Sequence, residues 1–345
     1  YMKTITKGKN MNNFKKIGLT ALAGSLATFS VNAAEMAVNG ATMLTYTSED
    51  STEVTGNPIG MKTNIGFSAS GEVNGYTVSY FSTMSDGMSS MSSNRLSIDM
   101  GDIGTISYDN ASGSGLATID DKTPTAAEEI WDGLGATGAT VGGLVGYGST
   151  GVINYVNSFA GVKLNAAMRR GSAAANSDGA SSGDGAGSFM DVAITGSGDT
   201  VGVEGVAWGV GYGEQDAGDG VTGGDEGNTT DMTAFVNYTY GPVTLGYQEG
   251  AEDAGGDGGT NQYSQRWGIA FNVNENFAIS YGEAETEYAK PGAAHVTEDI
   301  EGIAVSYTMG SMKIAGNRNN ASGVAGTAGV GGEDGMTEIA VSFAF

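Results

Sequence analysis

The sequence predicts an all-β protein, a 16-stranded antiparallel transmembrane β-barrel with short turns at one end and long loops at the other. Three observations carry this. Apolar and polar residues alternate with a period of two in segment after segment. The connections between segments are alternately tight and long. The last ten residues, MTEIAVSFAF, put Ile339, Val341, Phe343 and Phe345 on one side of an extended chain and Glu338, Ala340, Ser342 and Ala344 on the other. A terminus in water frays and gains little from an apolar last residue. This ending implies a final strand that is paired and lies in an apolar medium.

The chain has 345 residues, 59 Gly, 4 Pro and no Cys. The absence of Cys excludes a disulfide framework, a thiolate metal site and a thiol nucleophile. Residues 1–33 are read as a cleaved secretory signal. Lys15 and Lys16 precede the acid-free apolar run IGLTALAGSLATFSVNA, and Val31 and Ala33 hold the small-residue positions before a cut ahead of Ala34. Met11 is the candidate start of that signal. The segment contains five Lys and no acid, so the remaining 34–345 carries ten bases against 39 acids, a net charge of −29. Such a surface repels nucleic acid. After the signal no apolar run approaches the ~18 residues of a membrane-spanning helix.

The strands follow in order. In GMKTNIGFSAS, Met61, Thr63, Ile65, Phe67 and Ala69 alternate with Lys62, Asn64, Gly66 and Ser68. YTVSYFSTM aligns Tyr76, Val78 and Tyr80, and RLSIDMG aligns Leu96, Ile98 and Met100 against Arg95, Ser97 and Asp99. GVKLNAAMR sets Val162, Leu164, Ala166 and Met168 against Lys163, Asn165 and Arg169, and YSQRWGIAFN sets Trp267, Ile269 and Phe271 against Arg266. The full expectation is strands at 36–47, 60–70, 75–84, 94–101, 104–109, 150–157, 160–170, 188–196, 199–213, 231–240, 243–249, 262–272, 276–287, 299–309, 311–319 and 336–345. Tight turns such as GEVNG, GDIG, NSFAG and YGP join alternate pairs. The other connections are long and rich in Gly, Asp and Ser, as in GSAAANSDGASSGDGAG and EQDAGDGVTGGDEGNTTD. Sorted loops of this kind describe an outer-membrane barrel. In hydrocarbon every backbone N–H and C=O needs an internal partner, so the sheet must close, pairing the first strand with the last. Phe343 and Phe345 then form the signature of the C-terminal strand at the membrane boundary, where aromatic girdles sit. Tyr46, Tyr212, Trp208, Tyr247 and Tyr281 are read as girdle residues too; a sugar-binding aromatic slide is the rival reading.

With an export signal, sixteen strands and an aromatic end, the chain resembles the general trimeric porins of Gram-negative outer membranes, of the alphaproteobacterial type. GDIGTISYDN (101–110) resembles the porin turn and strand that lead into the constriction loop. GVINYVNSFAG (151–161) resembles the strand, turn and strand that follow it. Two departures are visible: Tyr108-Asp109 stands where Gly-Arg is usual, and a PEFGG-type loop tip is absent.

The resemblance implies a domain 34–345 forming the barrel, with a constriction loop at about 109–150 folded into the lumen. It implies a homotrimer in outer-membrane lipid, recognition of the C-terminal strand by the barrel-assembly machinery, and passive diffusion of small hydrophilic solutes. The loop supplies the acids Asp109, Asp120, Asp121, Glu128, Glu129 and Asp132. TPTAAEEIWDG (123–133) reads as a short helix, with Thr123 as cap, Pro124 in the first turn and Gly133 as its end. Val141–Gly148 is an extra strand segment or the base of strand 6. Alternation assigns the wall bases to the lumen, because a midplane Lys or Arg facing lipid costs ~2–4 kcal/mol. These are Lys62, Arg95, Lys163, Arg169, Arg266 and Lys313. Lys62 and Arg95 rank first, since their strands carry the constriction bases in porins; on strand 6 Asn154 replaces the usual base.

Loop acids outnumber wall bases, which predicts a pore favouring cations. The oxygen-rich loops have a composition that Ca²⁺ accepts, but GGDGGTNQ (255–262) does not recur at a fixed spacing, so no cofactor or metal is expected. His295 is the sole histidine and AKPGAAHVTED gives it no nucleophile, so no enzyme is predicted. A substrate-specific channel, or an adhesin or receptor barrel that binds ligand through its acidic loops, is the alternative.

Overall fold

The computed structural model describes residues 35–51, 55–85, 90–110, 115–134, 150–171, 187–216, 227–256, 259–289 and 291–345. The expected signal and Val141–Gly148 lie outside these residues. Sixteen strands close into one barrel, each hydrogen-bonded to its neighbours in sequence and β1 to β16. They are β1 (Glu35–Ser51), β2 (Ile59–Val73), β3 (Tyr76–Ser85), β4 (Ser90–Asp99), β5 (Thr105–Asn110), β6 (Thr150–Phe159), β7 (Val162–Arg169) and β8 (Phe189–Ser197). The second half comprises β9 (Val206–Gln215), β10 (Thr229–Tyr240), β11 (Val243–Asp253), β12 (Asn261–Asn272), β13 (Phe277–Ala289), β14 (Val296–Met309), β15 (Met312–Ser322) and β16 (Asp334–Ala344). All sixteen strands match the alternation. The largest shift of a start is that of the strand expected at 199–213, which begins at Val206 because Gly198–Val201 forms a single helical turn instead. Trp208 locks that turn by donating its indole N–H to the Thr200 hydroxyl at 2.9 Å.

The seam closes as the terminal residues demand. Ala41 opposes Ala344 and Tyr46 opposes Ile339. Phe345 extends the ladder beyond β16, since its N–H donates to Gly40 O at 2.9 Å and its carbonyl accepts from Gly40 N at 2.8 Å. A Cβ on Gly40 would lie 2.9 Å from the Phe345 ring. The missing side chain on β1 is therefore covered by the last residue of the chain.

The outer face is apolar and open: Met61, Phe67, Leu96, Met168, Ile269, Ile303 and Phe343 all stand exposed there. Their inward neighbours in sequence are polar or small. A monomeric soluble protein does not carry so continuous an apolar belt, whereas lipid requires one. The buried residues lie inside the barrel. They form three small clusters, and two of them are made by the segment between β5 and β6.

At the short-turn end, β2 and β3 join through Asn74 (φ 52°) and Gly75 (φ 84°), and β6 and β7 through Ala160 (φ 50°) and Gly161 (φ 83°). Both turns have positive φ at the two central positions, the geometry that favours Asn-Gly. Ala160 is the misfit, since a Cβ in the left-handed region costs ~1–2 kcal/mol. Ala160→Asn is expected to stabilise the barrel by about 1 kcal/mol, read as a higher urea midpoint in detergent.

Candidate functional site

The chain between β5 and β6 enters the barrel. β5 runs to Asn110 and β6 starts at Thr150, so Asp109 belongs to β5, backbone-paired with Arg95, and is not a loop residue. Of the loop itself, residues 115–134 are described. They cross the interior in contact with every strand from β6 to β16.

The segment begins in a 3₁₀ turn at Gly115–Ile119. Gly115 N–H is shared by Asn154 Oδ1 of β6 at 3.2 Å and Asn165 Oδ1 of β7 at 3.0 Å, while Leu116 N–H donates to Asp191 Oδ1 of β8 at 3.1 Å. A free helix start leaves its first N–H groups orphaned; here three adjacent strands supply the acceptors. Leu116 and Ile119 then bury against Ala193, with Phe235 packed beside them.

Gln248 of β11, only 2 % exposed, uses both ends of its amide. Its Nε2 donates to Ile119 O at 2.7 Å, Asp120 O at 3.2 Å and Thr233 Oγ1 at 3.0 Å, and its Oε1 accepts from Lys122 N at 2.8 Å. Asn237 of β10 donates to Lys122 O at 2.7 Å. Farther along, Ser280 Oγ of β13 accepts from Ala126 N at 2.8 Å. Asn319 of β15 donates to Glu129 O at 3.2 Å and Asp132 O at 2.9 Å. Trp131 and Leu134 close the run, buried with Ala284, Ile300, Ala321 and Met336.

The helix expected over 123–133 does not form. The segment consists of isolated turns, with Asp132 N donating to Glu129 O and Leu134 N to Trp131 O. The reason is reach. Neighbouring strands are ~4.8 Å apart, so the five steps from Asn237 to Asn319 span about 24 Å. Eleven helical residues extend only about 16 Å, whereas a near-extended chain of the same residues covers the gap. The wall hydrogen bonds replace the helical ones.

Charges are placed as follows. Arg266 of β12 is 2 % exposed, sealed beneath Trp131 with its guanidinium carbon 4.9 Å from a ring centroid. Asp121, Asp120 and Glu129 act on it electrostatically. Burial, then the neighbouring Asp121 charge, pushes the Asp120 carboxyl up to about 6. Burial likewise raises Glu129. Burial and then the Glu338 charge raise Asp132, while Lys62 opposes them. Lys62 is thus brought to the far end of the loop. Arg95 stays on the wall that the described loop leaves uncovered, over the Phe81 ring at 5.9 Å. Asp121 and Lys122 are half-exposed and 3.5 Å apart. Glu128 carries its backbone carbonyl to the Thr125 hydroxyl at 2.6 Å.

Two of the candidate bases, Arg169 and Lys313, lie away from this constriction, whereas Lys163 lines a cavity with Thr118, Ile119 and Lys122 of the loop. Arg169, at the long-loop end, donates to Gly171 O and Gly187 O and lies over Phe189. Lys163 and Lys313 flank the short turns after β6 and β14. Sequence reasoning missed the wall groups that hold the loop, Asn154, Asn165, Asp191, Gln248, Ser280 and Asn319. It also missed a second inward segment. Val324, between β15 and β16, packs on the Trp131 cluster, and buried Glu298 accepts from Ala325 N at 2.6 Å.

No protein-family model and no curated protein sequence matches the chain. Solved structures do. The chain superposes on OmpT of Vibrio cholerae, an outer membrane protein in trimer form, with a TM-score of 0.66 at 11% identity, covering 91% of this chain and 100% of that one. An anion-selective porin from Comamonas acidovorans gives 0.61 at 13% identity over 91% and 100%. The outer membrane channel DcaP of Acinetobacter baumannii gives 0.63 at 11% over 91% and 98%. At these identities the likeness is one of fold. The chain has the 16-stranded fold of Gram-negative outer-membrane porins, and the likeness does not single out the alphaproteobacterial type.

Proposed function

We propose that the protein is an outer-membrane diffusion channel for small hydrophilic solutes and ions, favouring cations, and that it works as a homotrimer. The observation that carries this reading is the loop segment 115–134, held inside a closed barrel against β6 to β16. A barrel of sixteen strands leaves a water-filled interior, and the narrowest section then decides what passes. Glu128, Glu129, Asp120, Asp121 and Asp132 act there as the negative edge. Lys62 and Arg95 act as the opposing bases, while Arg266 anchors the loop. Solutes pass by diffusion, without bond making or breaking. The export signal, and recognition of Phe343 and Phe345 by the barrel-assembly machinery, complete the proposed route to the outer membrane. The trimeric form of the Vibrio cholerae OmpT structure supports the proposed assembly. Reconstitution into planar lipid bilayers tests the proposal: stepwise conductance in groups of three is expected, and a silent bilayer overturns it.

A further inference from the structure

The wall beneath the middle of the loop lacks side chains on four successive strands. Gly246 of β11 opposes Gly268 of β12, Gly268 opposes Gly282 of β13, and Gly282 opposes Gly302 of β14. Direct cross-strand register makes these one continuous track running around the inner wall. Two asparagines end it in the same register, Asn237 opposite Gly246 and Asn319 opposite Gly302. These are the residues that donate to the loop carbonyls at Lys122, Glu129 and Asp132.

The loop lies in the track. A Cβ on Gly246 would come 2.3 Å from Pro124 Cδ, and one on Gly268 would come 2.9 Å from Pro124 O. A Cβ on Gly282 would meet Trp267 O of the neighbouring strand at 3.0 Å and Ile130 Cγ2 at 3.2 Å, and one on Gly302 would meet the amide oxygen of Asn319, itself a loop clamp, at 2.6 Å and Ile130 Cβ at 2.7 Å. Contacts under 3.0 Å cannot persist, so the loop or the strand must move. A glycine inside a strand weakens it and typically marks a close backbone approach. Four in register beneath one segment mark a seat for that segment.

We propose that this glycine track sets the aperture of the channel. By seating Pro124–Ile130 one side chain deeper against the wall, it fixes the free cross-section and hence the largest solute admitted. The inference rests on the reading of the chain as a diffusion channel. The glycines are positioning residues that act through the loop and touch no solute.

The test is single-channel conductance, with liposome swelling on sugars of increasing size, of Gly282→Ala and Gly302→Ala. Heat-modifiable migration on gels confirms that each barrel is formed. Gly316→Ala on β15 is the control, because its Cβ would meet nothing closer than 3.4 Å. Conductance is expected to fall from wild type to Gly282→Ala and further in Gly302→Ala, with the largest sugars lost first. Ile130→Ala removes the Cγ2 that the new Cβ of Gly282→Ala meets in the loop and leaves only the contact with Trp267 O within the wall, so the double variant is expected to regain part of the lost conductance. A merely structural role does not produce that rescue. Unchanged or raised conductance in both single variants, or no rescue, overturns the inference while wild-type channels still open. A wild-type protein that never conducts overturns the channel reading instead.

Discussion

Cation preference is expected to be full above pH 7 and to shrink as the pH falls through about 6, the range to which burial pushes Asp120. The loop presents Asp120, Asp121, Glu128, Glu129 and Asp132, while the nearest guanidinium, Arg266, is withdrawn from water under Trp131. Ions in the constriction therefore meet the acids more than the base. A lumen of one sign concentrates the opposite ion. Burial makes the charged carboxylate harder to form, so the raised groups are the first to be neutralised on acidification. The same shift bears on the loop's attachment. A carboxyl harder to ionise when the loop is seated favours seating at low pH, and that contribution is lost as the pH rises through about 6. Reversal potentials in a salt gradient at pH 8, 6 and 5 measure the effect. Asp120→Asn is expected to abolish the step near 6 and lower the preference at pH 8. A wild-type potential that does not change between pH 8 and 5, or that indicates anion preference, defeats this account.

The barrel was legible in the sequence because each strand lies between two media. Met61, Phe67 and Leu96 meet lipid, while Lys62, Ser68 and Arg95 face the lumen, and that difference is written at every second residue. The path of the loop has no such local signature. Ala126, Ala127, Glu128 and Glu129 are good helix formers, and propensity alone favours the helix that does not form. What overrides it is the distance between Asn237 and Asn319, which exists only once β10 and β15 are in place. Gln248 reads in TLGYQEG as one more inward polar residue, and Gly282 as one more strand glycine. Their roles depend on which strands the loop crosses. Asp109 was assigned to the loop by resemblance, but the ladder with Arg95 carries β5 one residue beyond it.

Gln248→Leu is expected to release the loop from the wall and lower the mean conductance, with added flicker that the glycine-track variants lack. Leu nearly preserves the volume but removes the amide that accepts from Lys122 N and donates to Ile119 O and Asp120 O. Each backbone group left buried without a partner costs ~1–3 kcal/mol, so the seated position loses about 3 kcal/mol or more. Lifting into the wet lumen relieves that cost, because water supplies the lost partners. The remaining clamps at Asp191, Ser280 and Asn319 keep the loop tethered on both sides of the gap, so the expected state fluctuates between seated and raised. Trypsin cleavage after Lys122 gives an independent readout, rising as that bond leaves the wall. Wild-type conductance, noise and cleavage in Gln248→Leu would mean that the amide contributes little and that the flanking clamps hold the loop alone. The two kinds of variant thus act along one coordinate, away from the wall: Cβ atoms added under the loop hold it inward while its clamps persist, which lowers conductance steadily, whereas removing a clamp lets it come and go, which lowers conductance with flicker.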